Sequence, residues 1–198
     1  MTRPHEDRQR HTPTDHRPGG PAITLAAPSW WAIAVVNVKS ERAPAGVAAY
    51  ETLVEQARAG ATKAHEAAIL LSHNQRRVVV LMHVEGHTAF ANLAAAWDDH
   101  HLFAERRAVA ESHTLALYRL VTVAGEIAID PASHDAYAFA HVPSGTVVEP
   151  GFRGSCVFDA DDGTGRAIVY RAEQIEQIEA VREAGEAFYP VKAVRTFA

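Results

Sequence analysis

Trp97-Asp98-Asp99-His100-His101 is the densest run of chemistry-bearing side chains in this sequence. On a helix, residues three and four apart share a face, so Trp97 neighbours His100 and His101. His101 also continues the apolar stripe of Phe90, Leu93 and Trp97. An imidazole titrates near ~6.5, which suits a general base at neutral pH. The indole can stack on a flat substrate, and Asp98 or Asp99 can orient an imidazole. The plainer alternative is a core tryptophan flanked by half-exposed histidines. His101 and His100 are therefore the catalytic candidates.

Other polar residues interrupt apolar strands. Asn37 sits on the strand face of Ile33 and Val35, where a buried amide needs a partner. His83 shares a face with Val79 and Leu81, and His141 shares one with Tyr137 and Phe139. Tyr118 and Arg119 point to opposite faces of one strand. Trp97, Asn37, Phe90, His83 and Tyr118 are the expected substrate-binding set, and a hydrogen-bonded structural histidine is the competing reading for His83. Metal ligation is not expected. His83 and His87 straddle a glycine, and no HExxH spacing occurs. Asp159, Asp161, Asp162 and Gly163 share the composition of a Ca²⁺ loop but lack its downstream glutamate, and a hairpin turn accounts for them.

Composition bounds the function. The chain has 198 residues, 47% hydrophobic and 22% charged, enough for a packed core. A net charge of −5 argues against a nucleic-acid partner. Cys156 is the single cysteine, so no intrachain disulfide forms, and its apolar strand makes it an inert thiol. No apolar run reaches transmembrane length, so no membrane partner is expected, and the default location is cytoplasmic.

The elements that must carry these residues read as follows. Residues 1–28 are rich in proline and charge, with His5, His11 and His16, and read as a flexible tail. The run 30–40 alternates as a strand. Pro44 suits a first helical turn, and Val47, Tyr50, Val54, Ala57 and Ala61 form one helical stripe. Strands at 66–72 and 77–84 flank a polar turn. A helix over about 88–110 and a strand over 114–122 complete a βαββαβ order, the ferredoxin-like pattern. A second unit begins at 135–143, where the short connection to Arg153 leaves little room for a helix. A charged hairpin over 154–172, a helix over 173–186 and a strand over 189–197 follow, giving βββαβ. Arg77-Val78-Val79-Val80 aligns with Arg166-Ala167-Ile168-Val169, and Tyr118-Arg119 with Val194-Arg195. The expected fold is α+β: two fused ferredoxin-like repeats, 29–124 and a degenerate 125–198. Their open sheet faces cover each other to make a pseudo-dimeric barrel.

This pattern resembles the dimeric α+β-barrel superfamily, which includes antibiotic-biosynthesis monooxygenases, small polyketide cyclases and IsdG-like haem-degrading enzymes. The resemblance rests on element order over 29–198, on the strand-to-helix run VVVLMHVEGHTAFANLAAAW and on the duplication. It implies an enzyme of specialised metabolism that acts without a cofactor on a hydrophobic, aromatic or polyketide-like molecule held between helix 88–110 and the first sheet. It also implies a site in the first half only, since that half keeps both helices. A non-catalytic ligand-binding or interaction protein is the alternative, and a homodimer is compatible with either. In IsdG-like enzymes an Asn on the first strand, a Trp on the second helix and a later His form the haem site. Asn37 and Trp97 match that pattern. His100 and His101 come too soon after Trp97, and Arg106, Arg107 and Ala108 stand where the histidine belongs, which argues against haem.

Overall fold

β-branched and aromatic alternation over Ser29–Val38 makes a strand with two apolar faces, because successive side chains point to opposite sides. That double-sidedness recurs along the chain and sets the architecture. The computed structural model describes residues 19–39, 41–60, 64–97, 108–145, 152–182 and 188–198. Its elements are β1 (Ile23–Thr24), β2 (Ser29–Val38), α1 (Ala43–Ala59), β3 (Ala67–Ser72), β4 (Arg77–Val84), α2 (His87–Trp97), β5 (Ala110–Gly125), β6 (Ala128–Ile129), β7 (Ala136–Val142), β8 (Gly154–Ala160), β9 (Arg166–Ala172), α3 (Ile175–Arg182) and β10 (Phe188–Phe197).

Eight strands close into one antiparallel barrel in the order β10-β3-β4-β2-β5-β8-β9-β7, with β7 returning to β10. The order β3-β4-β2-β5 of the first half recurs as β8-β9-β7-β10 in the second. Strand β5 explains the closure. Its residues from Ala110 to Leu120 pair with β2, and those from Tyr118 to Gly125 pair with β8. It therefore has to outrun the strand expected over 114–122. At its end Gly125 has φ +67, and a Cβ there would collide with the Arg153 carbonyl oxygen, so glycine is required for the turn into β6.

One face of every strand points inward. Trp31, Ile33, Leu70, Leu81, Phe139, Phe158 and Val169 belong to this barrel core. The other face of the first half carries α1 and α2: Val47, Tyr50 and Val54 of α1 pack with Leu93 and Trp97 of α2 over Ala32, Ala34 and Val36. Ile178 of α3 covers Ala138, Ile168 and Tyr170 in the second half. The helical stripe read from the sequence thus faces the sheet, with Val47, Tyr50, Val54 and Ala57 all buried.

The structure departs from the sequence reading in several places. Residues 19–28 join the fold. β1 pairs with β6, and Ile23 and Leu25 are 1% and 2% exposed within the barrel core. Two aliphatic residues among prolines are too few to signal this locally; the barrel end offers them an apolar lid position. The expected helix over 88–110 cannot run to its end, because Ala110 already pairs with Val38 in β5. Segment 98–107 lies outside the described residues. The residue-by-residue alignment of the two copies is also shifted. Val79 faces the barrel core while its assigned partner Ile168 faces α3. Side chains alternate with a period of two, so a one-residue slip exchanges the faces. The connection between β7 and β8 includes 146–151, which also lie outside the described residues.

Candidate functional site

The barrel has unlike ends. At one, Ile23, Leu25, Ile127 and Ile129 of the β1–β6 ribbon sit on the core. The Tyr137 hydroxyl fastens this lid by donating to the Ala128 carbonyl at 2.9 Å and accepting from the Asp130 amide at 3.1 Å. Arg171, 9% exposed, lies close by and donates to Asp135 at 2.6 and 2.9 Å. At the other end the inward rows open to solvent. On β5 the row runs from buried Leu120 and Tyr118 through half-buried Ala116 to exposed Thr114 and Ser112. On β2 it runs from buried Trp31 and Ile33 to half-buried Val35 and Asn37.

Two polar groups stand on these inward rows. In the first, Asn37 donates from Nδ2 to the Ser112 hydroxyl at 2.8 Å and accepts from Arg77 Nε at 3.2 Å. The Arg77 guanidinium lies 4.6 Å above the Tyr189 ring. A register shift at Asn37–Val38 marks a bulge, a device that re-aims side chains at barrel rims. Beside this group a cleft of about 60 Å³ is lined by Arg77, Tyr189 and the turn Ser72-His73-Asn74. In the second group, the Tyr118 hydroxyl lies 3.2 Å from His141 Nε2. Tyr118 is buried and His141 is exposed, so the pair joins the core to the rim. Burial, with the Asp162 charge adding to it, raises the Tyr118 phenol above its usual range. It stays protonated at neutral pH and acts as a hydrogen-bond donor.

The expected site residues fall into separate places. Trp97 is 2% exposed and packs 5.6 Å from Tyr50 on the helix-covered face. Phe90 is half-buried on that same face. Asn37, Tyr118 and His83 stand on the opposite, inward face, so the sheet itself separates Asn37 from Trp97. The Asn–Trp arrangement that the haem-degrading resemblance implied is therefore not assembled on one side of the sheet. His83 stacks on Trp31 at 5.1 Å, at the far end of β4 from Arg77. Burial lowers its pKa foremost, with Glu66 and Glu85 opposing and His65 reinforcing. Arg119 points outward, over Trp30 at 5.9 Å. His100 and His101 lie outside the described residues.

Arg77 and Tyr189 escaped the sequence reading. Arg77 opens an apolar strand beside a charged turn and passes for a turn residue. The available signal was parity: Arg77 shares the face of Val79 and Leu81, and a charge on an inward row calls for an explanation.

No family model and no curated protein sequence matches the chain. Among solved structures it is similar to an anthrone oxidase-like protein, with TM-score 0.68, 13% identity, and 89% of this chain and 96% of that one covered. It is also similar to a candidate monooxygenase of Fusobacterium nucleatum subsp. nucleatum, with TM-score 0.54, 9% identity and coverage of 87% and 95%. A third similar structure is a candidate monooxygenase of Lactobacillus acidophilus, with TM-score 0.54, 7% identity and coverage of 85% and 95%. At these identities the likeness establishes the fold: this chain forms an α+β barrel of the same kind as those proteins.

Proposed function

We propose that this chain is an oxygenase-type enzyme that oxidises a hydrophobic aromatic, anthrone-like or polyketide-like, without a bound cofactor. The observation that carries the reading is the Tyr118–His141 pair at the open end of the barrel. The fold shared with an anthrone oxidase-like protein supports it. His141 Nε2 takes the proton from an acidic C–H of the substrate. The Tyr118 hydroxyl, itself buried, then donates to the enolate oxygen that develops and stabilises that charge. The substrate anion reduces O₂ directly; a CH₂ group becomes C=O, one oxygen atom entering the carbonyl and the other leaving as water. We also read the chain as two fused ferredoxin-like units, supported by the strand order common to both halves.

The experiment measures O₂ uptake and quinone absorbance with anthrone as probe. We expect turnover above the uncatalysed rate, a loss of about 10²-fold or more in His141→Ala and a smaller loss in Tyr118→Phe. His141→Ala turning over at the wild-type rate would sink the assignment, and a Soret band in the purified protein would sink the cofactor-free reading. A second reading, a ligand-binding protein without catalysis, is favoured by Trp97, which sits fully packed against Tyr50. Tight binding of a flat aromatic with no O₂ uptake by any anthrone or hydroxynaphthalene tried would select it.

A further inference from the structure

We infer that the cleft beside Arg77 is a carboxylate-binding site. The Arg77 Nε is used by Asn37, and the guanidinium plane rests on the Tyr189 ring. Among the described residues no ion pair involves it, and no acidic side chain lines the cleft. A half-buried guanidinium held by an amide and a ring, with its terminal nitrogens unclaimed by any carboxylate, is a fork prepared for a planar anion.

Two other lining residues, Asn74 and Tyr189, carry donor groups. The Asn74 side-chain oxygen already accepts from the Ser72 hydroxyl at 2.7 Å and from the Arg76 amide at 3.1 Å, which leaves its amino end as the donor. The Tyr189 hydroxyl is buried and has no partner at good hydrogen-bond geometry, with the Arg77 guanidinium near enough to act on it through its charge and a loose hydrogen bond. Burial pushes that phenol up, so it remains a donor at neutral pH. The position is built by two distant segments, the hairpin 72–77 and the start of β10. Arg77 opens β4, Tyr189 lies near the start of β10, and the His73 amide donates to the Pro190 carbonyl at 3.2 Å, which ties the turn to that strand.

Size and charge select the ligand class. A cleft of about 60 Å³ is far below the size of a drug-sized ligand pocket and suits a small group rather than a polycyclic substrate. One guanidinium balances a single negative charge. A phosphate dianion calls for more cations or for a nest of backbone amides, which this cleft does not present. The carboxylate is borne either by a small free anion or by an aromatic acid whose ring extends out of the cleft. The site stands on its own geometry, and binding is read without turnover, so it does not depend on the oxygenase-type reading.

The test titrates benzoate, acetate, benzamide and inorganic phosphate into the full chain, followed by calorimetry and by the backbone amide shifts of residues 72–77. We expect benzoate to saturate with shifts confined to that turn, and its neutral isostere benzamide to leave the spectrum unchanged. Arg77→Gln should weaken benzoate by about tenfold or more, Arg77→Lys less, and Tyr189→Phe by a few fold. Acetate binding as well as benzoate identifies a free small-anion site; benzoate binding much better identifies a carboxylate carried on an aromatic ligand. Either supports the inference. Benzamide matching benzoate, phosphate binding more tightly than both carboxylates, or no saturation by either carboxylate would overturn it. Tyr189→Phe changes one oxygen atom, so it keeps the test decisive if Arg77→Gln fails to fold; unchanged benzoate affinity in both variants also overturns it.

Discussion

Removing the side chains of Ile23 and Leu25 separates a flexible-tail reading of residues 1–28 from the structure. If these residues were a tail, the double change to alanine would leave stability untouched. In the structure they are 1% and 2% exposed, in one cluster with Ile127, Ile129 and the inward strand residues. Each large-to-alanine change in a packed core costs about 2–5 kcal/mol. The ribbon lies at the barrel end, where neighbours can relax, so the lower part of that range applies: about 2–3 kcal/mol each and about 4–6 for the pair. Domains have only ~5–15 kcal/mol in total, so much of the stability is at stake. At ~2–4 °C per kcal/mol for a chain of this size, Tm should fall by about 10–20 °C. Urea denaturation followed by tryptophan fluorescence measures this well, because the Trp31 indole donates to the Ser29 hydroxyl at 2.8 Å beside the ribbon. A double mutant within about 1 kcal/mol of wild type would refute the lid, since the loss of even one buried aliphatic exceeds that.

Three further outcomes follow from other parts of the fold. Asp135→Asn should cost about 2–4 kcal/mol, because it leaves Arg171, 11% exposed at its side chain, with the Glu126 carbonyl at 3.4 Å and, as its remaining carboxylate among the described residues, the exposed Glu126 at 3.8 Å; chemical denaturation checks it. Burial pushes the Asp135 carboxyl up, but hydrogen bonds from Ser133 and Arg171 and the charges of Arg171 and Arg153 outweigh it and hold the group below its usual 3.8. The pair's stabilisation is therefore complete above pH ~4 and is lost as pH falls through the lower folded value. A pH series of melts should show wild type and Asp135→Asn converging in acid. Cys156 is fully buried with its thiol pushed up to about 12, so it should be inert to a thiol reagent in the native state and react in full once unfolded; stoichiometric native reaction at neutral pH would contradict the packing. Trp97→Ala should lower stability by about 3–5 kcal/mol, since Trp97 is packed against Tyr50; a variant that melts like wild type would show that Trp97 lines a cavity instead.

Much of the local architecture was legible because it rests on short-range periodicity. The alternation over Ser29–Val38, the stripe of Val47, Tyr50, Val54 and Ala57, and the charged turns before Arg77 and Arg166 each carry their signal within one segment. The site was less legible. Asn37 was visible as an oddity, but its partners Arg77 and Ser112 lie 40 and 75 residues away. Asn37 and Trp97 looked like members of one pocket because both are unusual for their elements, yet a strand residue's face depends on parity, and the two are on opposite sides of the sheet. Tyr118 was visible as a candidate, but its pairing with His141, which β7 brings within 3.2 Å, was not.

Composition and periodicity by themselves determined the main strands and helices from residue 29 onward, their order and the two apolar faces of the strands, but not the short strands β1 and β6. They did not determine what covers each face. The tertiary structure decided that β5 spans both halves to close the barrel, that β1 and β6 seal one end, and that Arg77, Asn74 and Tyr189 meet at the other. The physical reason is that a periodic pattern is a property of one segment. Pairing, closure and the meeting of a guanidinium with a distant phenol belong to pairs of segments, and only packing selects among the partners that the patterns allow.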